Sequence, residues 1–296
     1  MADKARVWTD KELAEIEKRI EKIYKTAQKE ITVSWNEYMK KVSKKLQKLQ
    51  DDYDKAKQSG DKDLIKKTGE KLGKAKASET YQNQRYKAML DDVTDKLANV
   101  NQTAISYING ELPSIYAVNY NGIAPQADKV GLDFSLVDDY TVRRLALDGD
   151  IKLPYKDLNK IKDKLWNTRQ LNSSVLQGIL QGEPINKIAD RIYPIVNNNK
   201  VAAIRNARTM VTGAENRGRY DSAVELEELG AVIEKKWIAT HDSRTRESHI
   251  EIDGQTVELH KPFGNGLMYP GDPNGAPEEV YNCRCSMSRR IIAVKT

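Results

Sequence analysis

The sequence predicts a mainly α chain with a small C-terminal α+β domain and a long N-terminal helical hairpin arm. Apolar residues recur at helical spacing from Leu13 to Ala56, and a second such series runs from Leu64 to Ile108 beyond a Ser59-Gly60-Asp61 break. Strand-like segments follow Gly230. The expected organisation is a basic helical hairpin over 1–110, an irregular connection over 111–156, a helical region over 157–230 and the α+β domain over 231–296.

The first series is Leu13, Ile16, Ile20, Ile23, Ala27, Ile31, Trp35, Tyr38, Val42, Leu46, Leu49, Tyr53 and Ala56. Its gaps average about 3.6 residues, the repeat of a straight α-helix rather than of a tight left-handed coiled coil. Such a helix is about 70 Å long at 1.5 Å per residue. The second series takes Leu64, Leu72, Tyr81, Met89, Val93, Leu97, Ala104 and Ile108, and Gly110 and Pro113 are expected to stop it. One hairpin buries little of its own stripe, so the arm is expected to be covered by later helices or by other subunits.

Pro113, Asn121-Gly122, Pro125, Gly131, Gly149 and Pro154 punctuate the connection, with one helical stretch near Leu136–Leu147. Helical spacing returns at Leu158, Ile161, Leu165, Leu171, Val175 and Ile179, ending at Gly182. A shorter helix is expected after Glu183-Pro184 with Ile185, Ile188, Ile192 and Val196 on one face. Another covers Lys200–Leu229, closed by Gly230. Expected strands are Ala231–Thr240, a segment around Gln255–Leu259 and the run Ile291–Val294, with a loop rich in Gly and Pro at 262–277.

Composition narrows the function classes. With 39% apolar and 31% charged residues, the chain holds no stretch near the roughly 18 apolar residues of a membrane span, which predicts a soluble protein. Charges at Asp3, Lys4 and Arg6 interrupt any secretory signal. Cys283 and Cys285 are two residues apart, too close for an unstrained disulfide, which points to a reducing cytoplasm. The net charge of +6 comes from residues 1–100, with 24 Lys and Arg against 18 Asp and Glu; the remainder balances at 25 against 25. Lys40, Lys41, Lys44, Lys45 and Lys48 form the densest run. It suits a sequence-independent, salt-sensitive contact with a phosphate backbone, although solvation alone is the ordinary role of a Lys/Glu-rich helix face.

All three histidines, His241, His249 and His260, and both cysteines fall within 241–285. Imidazole and thiolate are the usual zinc ligands, and a small loop-rich domain gains much from a metal crosslink. The candidate ligands are His249, Cys283, Cys285 and one of Asp242, His241 or His260. Cys-x-Cys is shorter than the Cys-x2–4-Cys of familiar fingers, and two buried thiols beside satisfied histidines would give the same cluster. His249-Ile250-Glu251 with Pro277 and Cys283-Arg284-Cys285 departs from the zinc-deaminase signature in the Pro–Cys and Cys–Cys spacings. Gly69–Lys74 is one residue short of a phosphate loop, lacks the Ser/Thr that binds Mg²⁺ and sits in a helical pattern. Arg244 and Arg246 beside Asp242 could fork onto phosphate, or pair with Asp242, Glu278 and Glu279 and hold the loops.

Trp237-x4-Asp242-x-Arg244-Thr245-Arg246-x2-His249, then Asp253-Gly254-Gln255, Phe263, Pro270-Gly271-Asp272-Pro273, Glu278 and Asn282-Cys283-Arg284-Cys285 resembles the phage Mu F-like minor head proteins of the head morphogenesis family. Weaker similarity reaches upstream through Gly178-x3-Gly182-x-Pro184 and Ala207-Arg208-Thr209, so that about 157–290 is covered. The resemblance implies a low-copy structural component of the phage head, present in several copies inside the virion and, during assembly, in the host cytoplasm. Its implied partners are the portal protein, scaffold or major capsid protein, with double-stranded DNA as a sequence-independent contact during packaging or ejection. Trp237, Asp242, Arg244, Arg246, His249, Gly254, Glu278, Asn282, Cys283 and Cys285 are this chain's copies of the marked positions. The competing expectation is a metal-dependent nuclease or other hydrolase, with the ion on His249, Cys283 and Cys285 and Glu251 or Asp242 as base.

Overall fold

The computed structural model describes residues 3–78, 84–181, 183, 187 and 190–295, with the side chains at 39, 41–43, 77, 78, 84–86, 179 and 180 outside that description. In chain order come α1 (Lys4–Ser59), α2 (Lys62–Ser78), α3 (Gln84–Asn121), α4 (Ala124–Lys129), α5 (Asp139–Asp148), α6 (Lys160–Leu180) and α7 (Tyr193–Glu228). Then follow β1 (Ala231–Ile238), α8 (Glu247–Glu251), β2 (Thr256–Glu258), α9 (Pro277–Val280) and β3 (Ser286–Val294). The class is as the sequence predicts: long N-terminal helices and a small C-terminal sheet. Among the described residues no helix is long and apolar enough to cross a membrane.

Local chemistry sets the helix ends. Asp3 caps α1, its Oδ1 accepting from the amides of Ala5 at 3.0 Å and Arg6 at 3.2 Å. Asp61 caps α2 in the same way through Asp63 and Leu64, after Gly60 turns the chain at φ +72. Along α1 the buried side is Ile16, Ile20, Tyr24, Ala27, Ile31 and Trp35, with Ala56 buried near the end. Tyr24 takes the inward place assigned to Ile23, which is only half-buried, while Leu46, Leu49 and Tyr53 stay partly exposed.

The main departure is α3, which runs through Gly110 and Pro113 to Asn121. The expected stop is overridden by burial: Ile105, Ile108, Leu112, Ile115 and Tyr116 continue the helical stripe across both breakers and are 5% exposed or less. An interior proline costs about 3 kcal/mol, whereas burying each such side chain contributes roughly 1.5–3 kcal/mol. Residues 111–156 are therefore partly helical, through α3, α4 and α5. Tyr81, Gly182, Pro184, Ile185, Ile188 and Ala189 lie outside the described residues, and with them most of the short helix expected after Glu183. α7 begins at Tyr193, ahead of the expected Lys200.

The chain forms two compact units. One comprises Glu21–Ala104 and Leu158–Val201. Its interior is knotted by Asn101, which donates to Asp163 and Asn199 at 2.7 Å and accepts from Tyr24 at 2.5 Å, while Asn199 donates to Asn167 at 2.9 Å. Burial beside Asp163 pushes the Tyr24 phenol well up.

The other unit comprises Met1–Ile20, Ile105–Asp157 and Ala202–Thr296, and holds the sheet, ordered β2-β1-β3 and antiparallel throughout. β1 alternates burial, turning Ala231, Ile233, Lys235 and Trp237 inward. Inside it, Arg219 is 2% exposed; Nε donates to Asn119 Oδ1 at 3.0 Å and Nη1 to Asp3 Oδ2 at 2.5 Å and to the Met287 carbonyl at 3.0 Å. Arg289 donates to the carbonyls of Asn119 at 2.6 Å and Tyr120 at 3.1 Å, satisfying the C-terminal end of α3.

Where α3 crosses α7 the helices meet at Gly218: a Cβ there would lie 2.5 Å from the Tyr116 carbonyl oxygen. Gly218→Ala should force the helices apart and lower stability by about 1–3 kcal/mol. The check is thermal unfolding followed by circular dichroism, and a variant that melts like the parent would show that the crossing has slack.

Candidate metal centre

β1 delivers its last inward residue, Trp237, to the edge of a loop region whose path is tied back to the strand. The Gly254 amide returns to the Trp237 carbonyl at 3.0 Å, and the Ala239 amide donates to Asp253 Oδ1 at 2.8 Å. Gly254 makes this turn at φ +78, which glycine adopts without strain. Within the loop, α8 carries His249 inward, 1% exposed, its ring 5.0 Å from that of Trp237 in an edge-on arrangement.

The thiols arrive from the other direction. After α9 the chain turns at Asn282, the one non-glycine residue with positive φ among those described, at +59. The following backbone is extended into β3, so Cys283 and Cys285 share a side and Arg284 takes the opposite one. Both thiols are 2% exposed, and Cys283 Sγ and Cys285 Sγ lie 3.7 and 3.4 Å from His249 Nδ1. The Cys285 amide faces Cys283 Sγ at 3.4 Å. The hydrogen bond from Cys283 holds the Cys285 thiol down at about 5 against burial, and the same sharing pushes Cys283 up. His249 Nε2 lies 2.8 Å from Glu279 Oε2, and Ser248 Oγ also binds that carboxylate. With Nε2–H donating to Glu279, the Nδ1 lone pair faces the sulfurs.

His249, Cys283 and Cys285 come together as the sequence expected, their ligand atoms within 4.8 Å of one another. The other three candidates do not join them. Asp242 forms a fork with Arg284 at 2.6 and 2.8 Å, which holds its carboxyl well below the usual carboxylate range. His241 pairs with Asp253 at 3.1 Å, and His260 with Glu227 at 2.5 Å. The arginines serve the loops: Arg246 donates to the Tyr281 carbonyl, and the Arg244 amide donates to Asp242 Oδ1 at 3.0 Å. Glu278 is exposed on α9, and the basic run Lys40, Lys44, Lys45 and Lys48 is exposed on α1, with the Lys41 side chain outside the described residues.

Sequence reading missed the residues that hold the thiol segment in place. On α7, Thr209 Oγ1 accepts from the Asn282 amide at 2.8 Å, Thr212 donates to the Cys283 carbonyl at 2.7 Å, and Asn216 donates to the Cys285 carbonyl at 3.2 Å while accepting from the Met287 amide at 2.8 Å. Their signal is polar residues at helical spacing on a side of α7 that apolar periodicity leaves blank. Gly271, in the Pro270–Pro273 loop, lies so close that a Cβ would stand 2.9 Å from the Gly213 amide nitrogen.

Residues 169–288 match the family model described as phage Mu protein F like protein. The chain is 22% identical over 289 residues to the minor head protein GP7 of Bacillus phage SPP1, covering 95% of this chain and 83% of that protein. It is 30% identical over 165 residues to the NAD(+)–arginine ADP-ribosyltransferase EFV of Enterococcus faecalis (strain ATCC 700802 / V583). That match takes in 54% of this chain but only 33% of the transferase, so the chain spans about a third of that protein's length. No solved structure matches the chain.

One buried cation of this region titrates near the working range. Lys235 donates to the Met268 carbonyl at 2.8 Å between the rings of Tyr220 and Phe263, and burial pushes its ammonium down from 10.5 to about 8, with Asp272 opposing. Between those values the unfolded chain holds a proton that the folded chain has released, so this group makes stability rise as pH increases from about 8 to 10.5. Denaturation midpoints across that range should show a rising contribution in the parent that is missing in Lys235→Met. Identical pH slopes would mean that the folded ammonium titrates as in water.

Proposed function

From a chain that carries a phage Mu protein F like region over 169–288 and aligns along 95% of its length with a phage minor head protein, we propose a non-enzymatic structural protein of the phage head. That near full-length alignment carries the reading, because it takes in the N-terminal helices as well as the C-terminal motif. The protein acts in head morphogenesis, beside the portal and inside the procapsid, where its partners are portal, scaffold or major capsid subunits.

The N-terminal helices supply a contact for confined DNA. Lys40, Lys44 and Lys48 recur every four residues along exposed α1, with Lys45 beside them. Such a row attracts phosphate without reading bases. The chemistry of the C-terminal loops supports a structural role over hydrolysis. Asp242, a candidate base of the hydrolase reading, is neutralised by the Arg284 fork and is a poor proton acceptor. Glu251, the other candidate, is exposed at the end of α8.

Gel retardation of linear duplex DNA, at several salt concentrations and with or without divalent metal, tests both parts. Intact, retarded DNA should be released by salt, with log affinity falling against log salt at a slope near −5 if about six phosphates are neutralised. Replacing Lys40, Lys44 and Lys48 by Gln should make that slope shallower by about 2.7. A flat salt response would remove DNA from the list of partners. Cleavage that disappears in His249→Ala would replace the structural reading by the hydrolase.

A further inference from the structure

We propose that His249 Nδ1 and the thiolates of Cys283 and Cys285 hold one zinc ion as a structural crosslink, with a water molecule in the fourth position. The distances suit this. Bonds of about 2.3 Å to sulfur and 2.0–2.1 Å to nitrogen at tetrahedral angles put N and S roughly 3.5–3.6 Å apart. The two N···S separations, 3.4 and 3.7 Å, bracket that value before any ion is added. Two sulfurs and an imidazole select a thiophilic ion and disfavour Mg²⁺ and Ca²⁺.

The surroundings are those of a ligand set rather than of idle thiols. Glu279 accepts the hydrogen bond of His249 Nε2–H, which directs the Nδ1 lone pair at the sulfurs and would complete a carboxylate–imidazole–metal arrangement. The Cys285 amide points at Cys283 Sγ, where it would stabilise a thiolate. A disulfide between residues two apart is strained, and both thiols are free. Charge also balances. As Zn²⁺ enters, the thiol protons leave to solvent, and two thiolates with a neutral imidazole make a site of zero net charge, compatible with donors only 1–2% exposed.

Three protein donors and one exchangeable position is also the ligand count of catalytic zinc, and no fourth His, Cys, Asp or Glu joins the cluster among the described residues. Access separates the two roles. Trp237 stands edge-on to His249 and the thiols belong to an apolar cluster with Phe263, Leu267 and Met287. The clefts that contain Tyr24, Ala56 and Arg208 are lined by other side chains. The ion instead joins α8 to the start of β3 across a stretch whose helices and edge strand β2 are three to five residues long. Elements that short cannot stabilise themselves.

The full-length native chain, purified without chelator and dialysed against zinc, should retain about one zinc per chain by plasma mass spectrometry. Exchange for cobalt should produce a thiolate-to-cobalt charge-transfer band that weakens in Cys285→Ser. Glu279→Gln, which leaves all three donors in place, should keep the stoichiometry and weaken affinity about 10–100-fold. Removing the ion from the native chain should expose 231–296 to protease, and zinc should restore protection. A native chain without tightly held metal, cobalt bound without a thiolate band, or full zinc in a Cys283→Ser/Cys285→Ser variant would overturn the site. Unchanged proteolysis on metal removal would overturn its role as a crosslink.

Discussion

A guanidinium that cannot reach water has to find its partners inside the protein, and Arg219 finds them on three separated stretches of chain. It binds the residue that caps α1, an asparagine near the end of α3 and a carbonyl of β3, while Glu215 stands at 3.4 Å on its own helix. Asp3 is shared between two tasks: Oδ1 caps α1 and Oδ2 meets Arg219. Burial alone would push that carboxyl up, but Arg219, the Arg6 amide and Arg289 together outweigh it and the group is held low. Removing Asp3 would leave the buried guanidinium one partner short, a cost of about 1–3 kcal/mol. The arrangement therefore constrains where α1, α3 and β3 can sit around α7, whatever the apolar packing would allow. Asn119 reinforces it by donating to Thr9 at 2.7 Å, which fixes the first turns of α1 against α3 a second time.

The same helix that carries Arg219 also positions the thiols. Thr209, Thr212, Asn216 and Arg219 are spaced by three, four and three residues, which makes a polar line along α7. Segment 282–287 lies along that line, with Asn282, Cys283, Cys285 and Met287 each bonded to it through the backbone. Its side chains are thereby left for other work: the thiols turn toward His249 and Arg284 turns out to Asp242. The left-handed turn at Asn282 starts this register, and a β-branched residue there would be strained. The position of the donors thus follows from main-chain bonds to a long helix, which are stiffer than the loop itself.

Much of this was legible because it depends on local pattern. Helical period, the Gly60 break, the Gly230 stop and the confinement of His and Cys to one window all lie in near-neighbour order, and each corresponds to a feature of the structure. The errors arise where distant packing outvotes local preference. Pro113 reads as a stop because its cost is local, whereas the burial that offsets it comes from residues far along the chain. Asp242 reads as one of three alternatives for a fourth donor because it shares the window with the histidines and cysteines, but Arg284 holds it instead. Glu279 reads as a partner for Arg244 or Arg246 from its charge, whereas it binds His249 and Ser248. Its role needs α9 and α8 to be brought side by side, and no periodicity encodes that.

The matched region over 169–288 also is not a self-sufficient folding unit. Its residues are divided between the two compact units, and the one that holds the thiols also needs Met1–Ile20 and Ile105–Asp157. Cut away from those stretches, Arg219 would lose Asp3 and Asn119, Asp221 would lose the Tyr116 hydroxyl at 2.9 Å, and Gly218 would face no helix. Two charged groups, Arg219 and Asp221, would then keep only part of their partners, and each buried bond left unmade costs about 1–3 kcal/mol. Against a typical domain stability of about 5–15 kcal/mol, that loss is a considerable share. Met1–Ile20 and the C-terminal part of α3 consequently belong to the same compact unit as the thiols, which the motif alone does not reveal.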